Sequence, residues 1–311
     1  MKTADGRPQA AGGRRQAADG HASYGEEAPP RKGFFTDTSI CIGCKACEVA
    51  CKEWNHVPDE PRGFTGESYD NSGALGANRW RHVAFIEQRV PVGAEHGAPD
   101  SLVQEAARLA LTEEAGMDVA ADGDLRWLMS SDVCKHCTHA ACLDVCPTGA
   151  LFRTEFGTVV VQEDVCNGCG YCVVACPFGV LDQRRGDGRV WKCTLCYDRL
   201  KDDMQPACAQ ACPTKSIQFG DLDELRERAA DRLEILHRRG TTSARLYGDD
   251  PDDGVGGCGA FFLLLDEPQV YGLPPDPVVT TRDLGSMWRS AGLAAGALGA
   301  MAVAAVLGAR R

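Results

Sequence analysis

Cysteine spacing constrains this chain more than any other feature. Sixteen of its seventeen cysteines fall into four tetrads: Cys41/Cys44/Cys47/Cys51, Cys134/Cys137/Cys142/Cys146, Cys166/Cys169/Cys172/Cys176 and Cys193/Cys196/Cys208/Cys212. The first and third read C-x2-C-x2-C-x3-C. Cysteines three residues apart reach three corners of an iron–sulfide cubane and leave the fourth corner to a ligand from elsewhere in the chain. Proline follows the last cysteine at Pro147, Pro177 and Pro213, whereas Lys52 holds that place in the first tetrad. The second and fourth tetrads are stretched to C-x2-C-x4-C-x3-C and C-x2-C-x11-C-x3-C, which enlarges one loop and keeps the outer pairs. Gly43, Gly168 and Gly170 are placed to let the backbone pass close to the cluster sulfides. Four tetrads imply four [4Fe-4S] clusters.

Other uses of cysteine compete with this reading. A disulfide framework suits a small secreted domain in an oxidising compartment, whereas this chain has 311 residues and no secretory signal is read in it. Zinc is the stronger rival, because paired C-x2-C motifs make tetrahedral S4 sites and the fourth tetrad alone resembles a zinc ribbon. A zinc-binding scaffold protein would be colourless and redox-silent. Zinc does not account for the recurrence of C-x2-C-x2-C-x3-C with a following proline. Without C-x-x-C-H there is no covalent haem site. Cys258, the odd cysteine, has no partner at ligand spacing and reads as a free buried thiol. Its surroundings, Gly254 to Gly259, match G-x-G-x-x-G by letter, but acidic loop precedes them and a strand-like Phe261–Leu265 follows, the reverse of a dinucleotide-binding turn.

The formal charge of −11 argues against nucleic acid as a partner and suits docking to other proteins. Residues 1–33 are rich in Gly, Ala, Pro and charge and are expected to be disordered. Arg14-Arg15 lacks a following apolar stretch and reads as solvated tail rather than an export signal. After Cys146 a short turn and a hairpin pivoting near Gly157 lead to the next motif, and the four motifs read as an internal repeat. Such short strands between metal loops leave the metal to supply much of the folding free energy. Helices are expected over Ser101–Ala115, inside a long insertion, and over Leu222–Arg239. Ser290–Gly308 carries no charge and is close to the length that crosses a bilayer, with Trp288 at one interface and Arg310 and Arg311 closing the far end. Arginines flank both ends, so charge does not set its orientation. His136 and His139 read as tuning hydrogen bonds beside the second tetrad rather than as ligands, and no catalytic base or nucleophile constellation stands out.

Ser39 through Cys47, Cys51-Lys52-Glu53-Trp54-Asn55, Cys166 through Cys172, Trp191-Lys192-Cys193-Thr194-Leu195-Cys196 and Pro206-Ala207-Cys208 resemble the iron–sulfur β subunits of membrane-bound formate dehydrogenases, in the molybdopterin oxidoreductase superfamily. Leu246-Tyr247, Gly254 to Gly257 and Tyr271-Gly272-Leu273-Pro274 narrow the likeness to that subfamily, as does the single C-terminal anchor. The resemblance covers about residues 36–82 and 126–308. The chain departs from it in the long start, the insertion near 91–124 and the short tail.

The resemblance implies an α+β fold of two bacterial-ferredoxin-like domains, one inserted in the other, with a single C-terminal transmembrane helix. Domain A comprises residues 34–90 and 188–220, domain B residues 126–187, with an insertion at 91–125, an extension at 221–287 and the anchor at 288–309. It implies crossed ligation: Cys41, Cys44, Cys47 and Cys212 for one cluster; Cys51, Cys193, Cys196 and Cys208 for a second; Cys134, Cys137, Cys142 and Cys176 for a third; Cys146, Cys166, Cys169 and Cys172 for the fourth. A non-catalytic wire is expected, drawing electrons from a molybdopterin α subunit that oxidises formate and delivering them to a membrane cytochrome b γ subunit and quinone. By the same analogy it sits on the bacterial cell membrane, held by lipid, with its body on the outer face; a cytoplasmic face is the alternative. The alternative assignment within electron transfer is a β subunit of another molybdo-enzyme or a membrane hydrogenase.

Overall fold

The computed structural model describes residues 29–59, 66, 69–90 and 124–308. Arg14-Arg15, Arg310, Arg311 and the helix expected over Ser101–Ala115 lie outside the described residues. In chain order the elements are β1 (Lys32–Asp37), α1 (Ala46–Trp54), β2 (Arg81–Val90), β3 (Asp124–Val133), α2 (Ala141–Asp144), β4 (Leu151–Arg153), β5 (Val159–Val161), α3 (Tyr171–Ala175), β6 (Asp182–Gln183), β7 (Val190–Trp191), α4 (Tyr197–Lys201), α5 (Ala207–Ala211), β8 (Ile217–Asp221), α6 (Leu222–Arg238), β9 (Arg245–Tyr247), β10 (Ala260–Leu264) and α7 (Leu284–Gly308). Ferredoxin-type loops dominate, and helices and strands are mixed and mostly short.

The largest sheet has the order β8-β1-β10-β9. β1 runs antiparallel to β8 and parallel to β10. Covered on both faces, β10 is a continuous apolar run, Ala260-Phe261-Phe262-Leu263-Leu264, all buried, as an interior strand with a parallel neighbour requires. Phe35 of β1 stacks on Phe261 with ring centroids 5.3 Å apart. Helix α6 packs on β1. It buries Leu222, Leu225, Ala229 and Leu236 on one stripe, with Asp223 and Glu224 in its first turn and His237 and Arg238 in its last, each sign favoured by the helix dipole there. The extension after the fourth tetrad is thus part of the first sheet.

Residues 29–33, expected to be disordered, are held in place by the fold. Lys32 and Gly33 belong to β1 and pair with Asp221 and Gly220, and Arg31 donates to Thr138 Oγ1 at 2.7 Å and to the His136 carbonyl at 3.0 Å. β2 and β3, which flank the long insertion in sequence, pair antiparallel from Arg81↔Val133 to Val90↔Asp124. That pairing joins residues expected in two different domains.

Helix α7 has 25 residues and is exposed over its described length. At 1.5 Å per residue it spans about 37 Å, enough to cross a bilayer's hydrocarbon core, and the most apolar 18-residue stretch within it, with a mean hydropathy of 1.9, fits that use.

Candidate metal centres

Each tetrad makes the same turn. The second residue after the first cysteine has a left-handed backbone in all four: Gly43 (φ 64°), His136 (φ 45°), Gly168 (φ 73°) and Leu195 (φ 58°). A left-handed residue inside such a loop curls successive N–H groups toward one concave side, the shape that receives anionic sulfide. Glycine takes this conformation freely, whereas His136 and Leu195 hold it at a cost of order 1–3 kcal/mol, which the surrounding packing must offset. Gly43 also has no room for a side chain: a Cβ there would lie 2.6 Å from the Phe85 ring and 2.7 Å from the Met129 sulfur.

The exits repeat as well. Gly149, Gly179 and Lys215, each three residues past a tetrad's last cysteine, are left-handed, and each N–H closes a turn on that cysteine's carbonyl at 3.2–3.3 Å. Proline at the intervening position ends the helix. In the first tetrad Lys52 replaces proline, and α1 runs on to Trp54.

Packing groups the thiols. Helix α1, which carries Cys47 and Cys51, lies against α5, which carries Cys208 and is followed by Cys212; α2, which carries Cys142, lies against α3, which carries Cys172. Cys41, Cys44, Cys47 and Cys212 line one cavity, walled by Val83, Ser131 and Ile217. Burial, and then the charges of Cys193, Cys208 and Cys196, push the Cys51 thiol well above its ordinary value. Cys142 is raised by burial with Cys134, Cys137 and Cys176 as its sulfur neighbours. Burial with Cys146, Cys166 and Cys169 pushes Cys172 up to about 11. The groups also follow one another, for Cys47 feels Cys208 across the first pair, and Cys193, pushed up to about 12 by burial, feels Cys134 between the pairs. Thiols so raised stay protonated until a metal ion displaces the proton.

Sequence reading missed the buried cations among these thiols. Lys192 (2 % exposed) donates to the carbonyls of Val159 and Cys193, the latter at 2.9 Å. Lys135 (1 %) pairs with Asp132, donates to the Val133 carbonyl at 3.0 Å and lies over the Phe178 and Phe262 rings. Arg81 (3 %) sits between the first two thiol groups. Lys135 and Lys192 adjoin the tetrad cysteines Cys134 and Cys193, but a Lys or Arg in sequence reads as surface. His136 is buried and neutral: Nδ1 accepts the Val159 N–H at 3.1 Å, and burial with the charges of Lys192, Arg153, Arg31 and Arg81 holds its pKa well below the ordinary value. Its Nε2 therefore carries the proton and has no partner among the described residues.

Cys258 is a free, buried thiol, as expected, and lies beside Cys137, whose thiol is raised well above its ordinary value by Cys258 and by burial. Its strand edge runs beside the second tetrad's loop, with Thr138 and His139 N–H donating to Gly257 and Val255 carbonyls at 3.0 and 2.8 Å.

These residues fit [4Fe-4S] clusters on chemistry and on shape. Every group is four thiols, and unpaired N–H donors of Arg81 and His136 stand close by. Among the described residues no three Cys, His, Asp or Glu side chains converge tightly enough to hold one metal ion. Tetrahedral zinc with 2.3 Å bonds would draw its sulfurs to about 3.8 Å apart, whereas a cubane holds its terminal thiolates wider.

Comparison with known proteins agrees. Two family models, each described as a 4Fe-4S dicluster domain, match residues 40–150 and 125–222, which together take in all four tetrads. The nitrate-inducible formate dehydrogenase iron–sulfur subunit of Escherichia coli (strain K12) is 38% identical over 259 residues, 82% of this chain and 76% of that protein. The formate dehydrogenase iron–sulfur subunit of Haemophilus influenzae is 38% identical over 277 residues, 87% of this chain and 77% of that one. The B subunit of the anaerobic dimethyl sulfoxide reductase of E. coli is 33% identical over 209 residues, 65% of this chain and 80% of that subunit.

Proposed function

From the premise that this protein belongs to the family of formate dehydrogenase iron–sulfur subunits, we propose that it carries four [4Fe-4S] clusters in a row and conducts electrons along them between a catalytic subunit and the membrane. An iron–sulfur electron-transfer subunit is what the family provides; the number of clusters, their ligands and the direction of flow are the proposal. The ligands would be Cys41, Cys44, Cys47 and Cys212; Cys51, Cys193, Cys196 and Cys208; Cys134, Cys137, Cys142 and Cys176; and Cys146, Cys166, Cys169 and Cys172. The first two sets would form one ferredoxin-like domain and the last two another, inserted within it.

One observation carries this reading. The thiol groups succeed one another from the exposed Cys44 to the exposed Cys169, with the most buried thiols between. When bound, the clusters supply one-electron redox chemistry. The protein's own part is to space them, keep water from the middle ones and leave both ends reachable. Apolar side chains close in sequence to each end face solvent: Ile42 and Val49 around Cys44, and Val165, Tyr171 and Val174 around Cys169. Such collars suit protein partners, a molybdopterin subunit at the first and a membrane cytochrome b subunit at the second.

The direction is supported by the root of the anchor. Thr281, just before α7, donates to Asp144 at 2.6 Å, between Cys142 and Cys146, so the second end of the row stands nearer the membrane. The likeness to a dimethyl sulfoxide reductase subunit favours a second reading, in which the catalytic partner is another molybdo-enzyme. The body would stand on the outer face of the bacterial membrane, as family analogy suggests.

Formate added to anaerobic membranes holding the complex should reduce this subunit's clusters and then quinone. Replacing Cys169 with Ala should leave formate-driven reduction of the first three clusters while stopping quinone reduction. Quinone reduction that survives would contradict this exit, and clusters that respond to a different donor but not to formate would favour the second reading.

A further inference from the structure

Arg81 opens β2, and its surroundings set it apart from an ordinary structural arginine. It is 3 % exposed without a carboxylate partner at salt-bridge distance among the described residues. Nη1 donates to Ser131 Oγ at 2.9 Å and, at 3.3 Å, to the Ser131 carbonyl, while Nε and Nη2 are buried with no partner among the described residues. Ser131 Oγ in turn lies 3.2 Å from the Cys47 sulfur. The guanidinium is held against the Phe34 ring, 5.0 Å from its centroid, so the head group is fixed in place.

Burying a guanidinium with two idle donors is costly unless something anionic receives them. The groups around it are cysteine sulfurs, Cys47 of the first thiol group and Cys51, Cys193 and Cys208 of the second, which become anionic when metal displaces their protons. β2 is held to α1 by the Glu48 side chain, which accepts the Val83 N–H at 2.5 Å, and to β3 by the full hairpin ladder. Its first residue therefore has no freedom to swing out into water.

We propose that Arg81 is a positioning residue shared by the first two clusters: it donates Nε and Nη2 to sulfur at the second, reaches the first through Ser131, and raises the reduction potential of both. The inference rests on the four-cluster reading above. A fixed positive charge and hydrogen bonds to cluster sulfur stabilise the more negative, reduced state, so removing them must make reduction harder. Because one guanidinium serves two neighbours, it also lessens the repulsion between electrons resident on both.

The test is an EPR-monitored potentiometric titration of the membrane complex carrying the wild-type subunit, Arg81→Met and Arg81→Lys, with iron counted in each. The wild type should show four reductions. In R81M two of them should move to lower potential while the other two stay, and in R81K the same two should move less, because the charge remains but the planar fork of donors is lost. Unmoved potentials with full iron would overturn the inference and leave the four-cluster reading standing, as would an equal shift of all four. Should R81M lose iron, R81K decides: full iron with the same two reductions lowered supports the inference, and full iron with none lowered, or R81K losing iron as well, overturns it. A wild type with fewer than four clusters would overturn the reading beneath.

Discussion

The middle of the molecule and its two ends handle cysteine in opposite ways. Around Cys51, Cys193, Cys208 and Cys134 every thiol is buried, and three buried basic side chains, Arg81, Lys135 and Lys192, stand among or beside them. At Cys44 and Cys169 the thiol is exposed, and apolar side chains close in sequence, Ile42 and Tyr171 among them, face water. Anionic groups in a low-dielectric interior repel one another strongly, so the middle needs fixed cations; water does that work at the ends. The ends in exchange gain access, which a relay requires where a partner must approach. The difference teaches that the buried cations are part of the metal centres, although none is a ligand.

Substitutions in the middle should break this division most severely. Cys193→Ala should lose about a quarter of the iron and abolish formate-to-quinone electron flow, read by metal analysis and quinol formation. Flow that persists would mean that the row bypasses this position. Next in size, Lys192→Met leaves the Val159 and Cys193 carbonyls without their donor and should cost about 2–3 kcal/mol, measured by denaturant unfolding under anaerobic conditions. A neutral result would show that the cation is dispensable and that the contrast with the ends is incidental.

Effects at the ends should be smaller for folding and sharper for assembly. Gly168→Ala adds a Cβ 2.5 Å from the Gly188 carbonyl at a φ of +73°, and should cost about 1–3 kcal/mol and loosen the fourth cluster's iron before the others. Gly149, left-handed but with open space around its Cβ position, is the control and should lose less. Smallest for stability is Ile42→Asp at the exposed collar, expected within about 0.5 kcal/mol of wild type. It should nevertheless weaken capture of the catalytic subunit at least about tenfold, since a charge is desolvated at the contact. Unchanged capture would move that partner elsewhere.

What was legible in sequence was local. The tetrads announce themselves because cubane ligation by one loop fixes spacing over a few residues, and the following prolines mark the exits that Gly149, Gly179 and Lys215 then turn. Helix α6 was legible from its apolar period, ending one residue earlier than expected, and the hairpin around Gly157 appears as β4 paired with β5. β10 was legible as an apolar run, which also disposed of the glycine-rich letters before it. What was hidden is the long-range packing. β2, Arg-His-Val-Ala-Phe-Ile-Glu-Gln-Arg-Val, mixes charge with apolar residues on both faces, because one side meets thiols and the other sheet, so no period-2 pattern survives. Arg81 and Lys192 gave no signal, for a basic residue is recognised as buried only once the anions around it are assembled. The order of residues 29–33 was masked by a composition that says tail, while β8 and Thr138 hold them from afar.

The measurement that tests the central claim most directly is iron and acid-labile sulfide content of the anaerobically purified protein, with EPR during stepwise reduction by dithionite. The four-cluster account predicts about sixteen irons and sixteen sulfides per polypeptide, with the broadened signals of neighbouring reduced cubanes interacting along the row. Zinc without sulfide, or iron enough for only two clusters, would contradict it.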